Sequence, residues 1–130
     1  LNIEGAIKAY SLQEYQRTLL IILEDFGGES LHKLINSSPK AQREGELRWL
    51  GGNLPILLPE FLPLAIKITE ILGRIHSANI IHKDINPSNI VLNPKTGEVK
   101  IIDFGIATRL TRTNPTLSHP NVLEGTLAYM

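Results

Sequence analysis

The chain has no cysteine. That excludes a disulfide frame and any thiolate metal site, and it is compatible with the cytosol. It has no net charge, with Lys+Arg and Asp+Glu at 13 each in 130 residues. No electrostatic case exists for a nucleic-acid partner or for a membrane surface. Long apolar runs are absent too. The longest, Leu19 to Leu23, is far short of the roughly 20 residues that span a bilayer. No signal-peptide pattern opens the chain. The first residue is Leu1 and not Met, so the expectation is a piece of a larger reading frame. What is present, at 42% hydrophobic residues, suffices for one domain of ordinary size with a real core.

The most informative stretch is Ile80 to Gly105. It contains His82-Lys83-Asp84, with Asn89 five residues after the aspartate, and then Asp103-Phe104-Gly105. Each motif follows an apolar β-type run (Ile80-Ile81, then Val99 to Ile102), and Ile90-Val91-Leu92 follows Asn89. Polar groups therefore sit at the mouths of buried strands, where a rigid scaffold aims them. Asn93 to Glu98 is rich in turn formers and predicts a hairpin that brings Asn89 and Asp103 to one end.

The chemistry these residue types suit is phosphoryl transfer. Mg²⁺ on nucleotide phosphates takes oxygen ligands in near-octahedral geometry. One carboxylate and one amide oxygen, Asp103 and Asn89, can share that load. A second carboxylate, Asp84, is then available to accept a hydroxyl proton as general base.

These motifs resemble the catalytic loop and metal-binding loop of the eukaryotic-type Ser/Thr protein kinase superfamily. Gly125-Thr126-Leu127-Ala128-Tyr129-Met130 resembles the substrate-docking end of a kinase activation segment, cut before the usual Pro-Glu. His-Lys-Asp-Ile-Asn-Pro-Ser-Asn, with Glu24-Asp25-Phe26-Gly27-Gly28-Glu29-Ser30-Leu31 upstream, is most similar to kinase modules of large bacterial multidomain serine/threonine kinase–ATPase–sensor histidine kinase proteins. The resemblance implies an α+β, partial protein-kinase-like fold. Residues 1–26 would hold the last two N-lobe strands and the hinge. Residues 27–130 would run from the start of the mostly helical C-lobe through the activation segment. It also implies ATP and Mg²⁺ as cofactors, a protein substrate, the remainder of a multidomain chain as partner, and a cytoplasmic setting without nucleic acid or membrane insertion.

Site residues carried over by this resemblance are Asp84, Asn86 and Lys83 for catalysis, and Asn89 and Asp103 for metal. Glu24 and Phe26 at the hinge, Val91 on the adenine floor and Ser30 near the ribose would contact the nucleotide. Leu23 would be the gatekeeper, His82 and Phe104 would stack as supports, and Thr126 would lie against Asp84.

Elsewhere, Gly5 to Tyr10 is a β candidate, Gln13 to Arg17 a polar connection and Thr18 to Leu23 a second strand. Gly27-Gly28 reads as a turn. Ser30 is a candidate N-cap for a short helix over 31–35. Asn36 to Pro59 reads as a loop insertion in which Trp49 packs. Glu60 to Ser77 has the i, i+3, i+4, i+7 stripe of a helix, from Phe61 through Leu64, Ile68 and Ile71 to Ile75, and Pro63 is expected in its first turn. His76 suits the exposed carbonyls at the helix end. Thr108 to Leu123 reads as a loop, with Thr111, Thr113, Thr116 and Ser118 as hydroxyls open to phosphorylation.

Three departures bear on activity. The glycine-rich loop, the phosphate-binding lysine and its glutamate partner would precede Leu1, and Lys8 is on the wrong strand to replace that lysine. The Pro-Glu tail and the helical floor would follow Met130. Asn86 stands where Ser/Thr protein kinases carry lysine, and Lys83 for arginine keeps charge but loses the planar fork. The alternatives are a catalytically inactive, pseudokinase-like binding module and a small-molecule phosphotransferase. Gly105 and Gly125 to Tyr129 argue against the latter.

Overall fold

A computed structural model describes residues 2–37, 58–111 and 125–129. Trp49, Thr113, Thr116 and Ser118 lie outside the described residues, as does most of the expected loop insertion.

The chain opens with a short segment that docks on the core. Gly5 and Ile7 bond Ile101 through backbone groups at 2.8 and 2.9 Å, making Ala6 a parallel bridge partner of Ile101. Gly5 has φ +87°, and a Cβ there would overlap the Ile71 side chain. Glycine is required at this close approach.

Strands β1 (Ala9–Tyr15) and β2 (Thr18–Leu23) form an antiparallel pair. The pairing matches the sequence expectation, but the first strand begins later and runs further. Gln13 to Tyr15 are strand, and only Gln16 and Arg17 turn, at φ 49° and 65°. Two successive positive φ values make a tight two-residue hairpin loop whose twist suits the flanking strands. Both faces of this ribbon are exposed, Leu12 and Ile21 among them.

A three-stranded antiparallel sheet follows, in the order β3 (Glu29–Ser30), β5 (Ile90–Leu92), β6 (Val99–Ile101). Helix α1 (Leu31–Ser37) starts directly after β3. Ser30 Oγ accepts from the Lys33 N–H at 3.2 Å, the N-cap bond expected of it. Strands β4 (Ile80–Ile81) and β7 (Thr108–Arg109) pair antiparallel beside the sheet.

Helix α2 (Leu58–Ser77) packs its stripe on β4 and β6. Leu64, Ile71 and Ile75 are buried with Ile80, Ile90, Val99 and Ile101, and Ile68 packs against them. Two details differ from the sequence reading. Phe61 is exposed, because the stripe makes contact with the sheet only from Leu64 onward. The helix also starts two residues earlier, at Leu58, which puts Pro63 in the second turn. Its ring nitrogen cannot donate to the Pro59 carbonyl, so that bond is missing. The helix ends on Asn79 at φ 58°, whose N–H reaches the His76 carbonyl at 2.8 Å. The left-handed residue after the last turn stops the helix and sends the chain into β4.

Candidate active site

The loop between β4 and β5 holds the first motif. His82 is 1% exposed. Its Nε2 donates to the Ile102 carbonyl at 2.9 Å, so Nδ1 is left to accept the Asp84 N–H at 3.3 Å. The His82 ring meets Phe104 edge-on, with centroids 4.7 Å apart at 62°. This is the support that the sequence assigned to the pair. It ties the loop before β5 to the segment after β6. Lys83 and Asp103 adopt left-handed backbone at φ 70° and 61°. For a residue with a Cβ this conformation costs about 1–3 kcal/mol and persists only where its surroundings enforce it. Both strained positions border the candidate chemistry.

Asp84 is the centre of a bonded network. Its Oδ1 accepts the Thr126 hydroxyl at 2.6 Å and the Thr126 N–H at 2.9 Å. Its Oδ2 accepts Asn89 Nδ2 at 2.9 Å. Asn89 Nδ2 also donates to the Asp84 carbonyl at 2.9 Å. Both oxygens of the carboxylate are therefore engaged. The Thr126 hydroxyl holds the Asp84 carboxyl below its ordinary value, helped by Asn86, the Thr126 N–H and Asn89, against a desolvation that acts the other way. Asp84 is thus ionised at neutral pH and oriented from both sides.

Asn86 is buried and fully engaged. Its Nδ2 reaches Thr126 Oγ1 at 3.2 Å and the Asp84 carbonyl at 3.4 Å, and its Oδ1 accepts the Ser88 N–H at 2.8 Å. The order Asn86 amide to Thr126 hydroxyl to Asp84 carboxylate is a donor chain in which each bond polarises the next.

Asn89 and Asp103 are brought to one end of the β5–β6 pair, as the hairpin predicted. The Ile102 N–H donates to the Asn89 carbonyl at 2.9 Å. Both side-chain bonds of Asn89 run through Nδ2, which turns Oδ1 away from Asp84. Asp103 is exposed and accepts the Gly105 N–H at 3.2 Å. A buried amide and an exposed carboxylate at one end of the hairpin are oxygen donors of the kind a hard cation takes. An open hollow of about 330 Å³ adjoins the site, with Lys83, Asp84, Gly125, Thr126 and Tyr129 in its wall.

Glu24 and Phe26 lie between β2 and β3 and meet the hairpin at Lys100 and Asn93. Val91 is buried in β5, where it pairs with Ser30 and packs so close under Gly28 that a Cβ there would lie 2.6 Å from it. The Glu24 carboxylate meets Lys100 Nζ at 2.7 Å, with the two side chains 15% and 13% exposed. Lys100 holds the Glu24 carboxyl below its ordinary value, while Glu24 and Glu98 raise Lys100 despite its burial. The sequence reading used Asn93 only as a turn former and Lys100 only as part of a strand, neither as a site residue. The available signal was Lys100 itself, the polar centre of an apolar strand whose neighbours Val99 and Ile101 point to the core.

The protein kinase domain model matches residues 1–130. The chain belongs to the protein kinase family. Curated relatives agree with that assignment. A probable serine/threonine-protein kinase of Streptomyces coelicolor is 32% identical over 111 residues, covering 85% of this chain and 14% of the relative. Serine/threonine-protein kinase PrkC of Bacillus subtilis is 29% identical over 130 residues, covering 100% and 17%. Mitogen-activated protein kinase kinase 7 of Arabidopsis thaliana is 39% identical over 85 residues, covering 62% and 26%. The chain thus spans 14 to 26% of the length of these relatives. In this protein kinase chain, the His-Lys-Asp loop, the Asn89 position, the Asp-Phe-Gly segment and Thr126 converge on Asp84 and the hairpin end beside it.

Proposed function

We propose that the chain carries the catalytic centre of an ATP- and Mg²⁺-dependent transferase that phosphorylates Ser or Thr hydroxyls of a protein substrate. The observation that carries this reading is the Asp84 carboxylate, fixed by Asn89 on one oxygen and Thr126 on the other. Asp84 accepts the proton of the substrate hydroxyl. That oxygen forms a bond to the γ-phosphorus, the bond from phosphorus to the β–γ bridging oxygen breaks, and ADP leaves. Asn89 and Asp103 hold the Mg²⁺, which when bound neutralises charge on the phosphates. Asn86 steadies Thr126 and so Asp84, and Lys83 supplies the cation adjoining the base.

The backbone of Glu24 to Phe26 meets adenine, Val91 forms the floor beneath it and Ser30 is near the ribose. Ser30 Oγ already accepts the Lys33 N–H, which leaves its O–H and one lone pair for a ribose. We place residues 1–26 at the end of the N-lobe with the hinge and residues 27–130 from the start of the C-lobe. The same reading makes the rest of a multidomain signalling chain the partner, in the cytoplasm. No described helix is long and apolar enough to cross a membrane.

One observation favours the pseudokinase-like alternative. The position that carries lysine in Ser/Thr kinases is Asn86, and its amide is spent on Thr126 and Ser88. Calorimetric titration of the chain with ATP and Mg²⁺, beside Asp103→Ala, tests the nucleotide site. Metal-dependent binding that Asp103→Ala removes is the expected result. A folded chain with equal, metal-independent binding in both forms contradicts the assignment. Binding without phosphate transfer in the longest natural polypeptide that contains the chain selects the alternative.

A further inference from the structure

The connection that carries Glu24, Asp25 and Phe26 has neither helix nor strand of its own. Its shape is set from outside, by two side chains of the β5–β6 hairpin. Asn93 follows β5 and is buried. Its Nδ2 donates to the Phe26 carbonyl at 2.6 Å, and its Oδ1 accepts the N–H groups of Lys95 at 2.9 Å and Thr96 at 3.3 Å. Only the nitrogen can face a carbonyl, so the amide has a single orientation. Lys100 in β6 meets Glu24 Oε1 at 2.7 Å and Glu98 Oε1 at 3.3 Å. Its Nζ also lies 5.1 Å from the centre of the Phe26 ring. The same Glu24 oxygen accepts the Lys8 N–H at 2.7 Å. Within the segment, Asp25 Oδ1 accepts the Gly27 N–H at 2.9 Å.

The connection is thus fastened at its first residue by a shielded ion pair and at its third by a buried amide. Both fasteners come from the hairpin that carries Asn89 and Asp103 at its open end, Asn93 from its turn and Lys100 from the middle of β6. Backbone groups bind a planar base well only if their direction is fixed before the ligand arrives, since otherwise binding must order them. We propose that Asn93 and Lys100 are positioning residues for the nucleotide base, holding the Glu24–Phe26 backbone on the rigid element that also presents the metal-binding side chains. The proposal rests on the reading that this backbone meets adenine. It adds which side chains set that contact. It also makes the spacing between the base and phosphate ends of the site a property of one hairpin.

The test uses the longest natural polypeptide that contains this chain, in four forms: wild type, Asn93→Ser, Lys100→Met and Lys100→Arg. Serine at 93 keeps an acceptor for the turn N–H groups but cannot span the distance to Phe26, so it separates the turn from the fastening. Calorimetry with ATP, with adenosine and with inorganic tripolyphosphate plus Mg²⁺ is paired with steady-state KM and kcat, each at a temperature where circular dichroism shows the variant folded. ATP and adenosine affinities are expected to fall together by about 3- to 10-fold in Asn93→Ser and Lys100→Met, the scale of one lost hydrogen bond or ion pair. Tripolyphosphate affinity and kcat at saturating ATP stay within about two-fold, and Lys100→Arg recovers most of the loss. Unchanged adenosine affinity in folded Lys100→Met and Asn93→Ser overturns the proposal. Equal losses for adenosine, tripolyphosphate and kcat also overturn it, because they report general loosening. A folded wild type that binds neither ATP nor adenosine overturns the nucleotide reading itself.

Discussion

The Thr126 hydroxyl donates to Asp84 Oδ1 at 2.6 Å, across 42 residues of chain. The 125–129 segment and the loop after β4 therefore share one carboxylate. Removing the hydroxyl with Thr126→Val deprives Asp84 of the bond that contributes most to its lowered pKa. The sign follows directly. A bond that favours the carboxylate lowers its pKa, so its loss raises it. The acid limb of the pH profile of kcat/KM should move to higher pH. At its optimum kcat should fall by roughly 10- to 100-fold from misplacement of the base. Thr126→Ser should retain most of both. Matched pH profiles of the three forms check this.

A second prediction concerns pH and the Glu24–Lys100 pair. Glu24 is lowered from 4.5 and Lys100 is raised from 10.5. A carboxyl with a depressed folded pKa contributes stability above its unfolded value and loses it as pH falls through the folded one. A lysine with a raised pKa contributes below its unfolded value and loses it as pH rises through the folded one. The stability difference between wild type and Lys100→Met should therefore be level across neutral pH and shrink towards both extremes. Urea titrations at several pH values measure it. A difference that grows on acidification contradicts the pairing.

The third prediction lies at the chain's entry. Gly5 combines a left-handed backbone with a position where a Cβ would overlap the Ile71 side chain. Gly5→Ala should destabilise the protein by about 2–4 kcal/mol, from the backbone penalty together with overpacking. The loss should be smaller on an Ile71→Val background, which gives the new methyl room. Denaturant midpoints of the single and double variants check it.

Local pattern made much of this legible in advance. Turn formers between two apolar runs marked the β5–β6 hairpin, and the hairpin placed Asn89 beside the start of the Asp-Phe-Gly segment. The apolar stripe from Leu64 to Ile75 marked α2, and Ser30 marked the start of α1. The first strand was misplaced because its boundary is set by pairing. Polar Gln13 and Glu14 lie opposite Leu20 and Leu19, and no periodicity in 5–17 announces that register. The start of α2 was missed because Pro59 read as the end of the loop insertion and Pro63 as part of a first turn, whereas the helix admits the second proline at the expense of a backbone bond. The grip of Asn93 on Phe26 joins residues 67 apart. Such contacts come from tertiary packing, and a turn asparagine looks the same in sequence whether or not it reaches a distant carbonyl.

The most direct measurement is phosphate transfer from labelled ATP to a protein substrate by the longest natural polypeptide containing this chain, wild type against Asp84→Asn. The exchange keeps the shape that Asn89 and Thr126 pack against while removing the proton acceptor. With Asp84 as general base, kcat should fall by about 10²- to 10⁴-fold while ATP binding is retained. A folded Asp84→Asn variant that transfers phosphate at the wild-type rate would contradict the assignment on which the proposed chemistry depends.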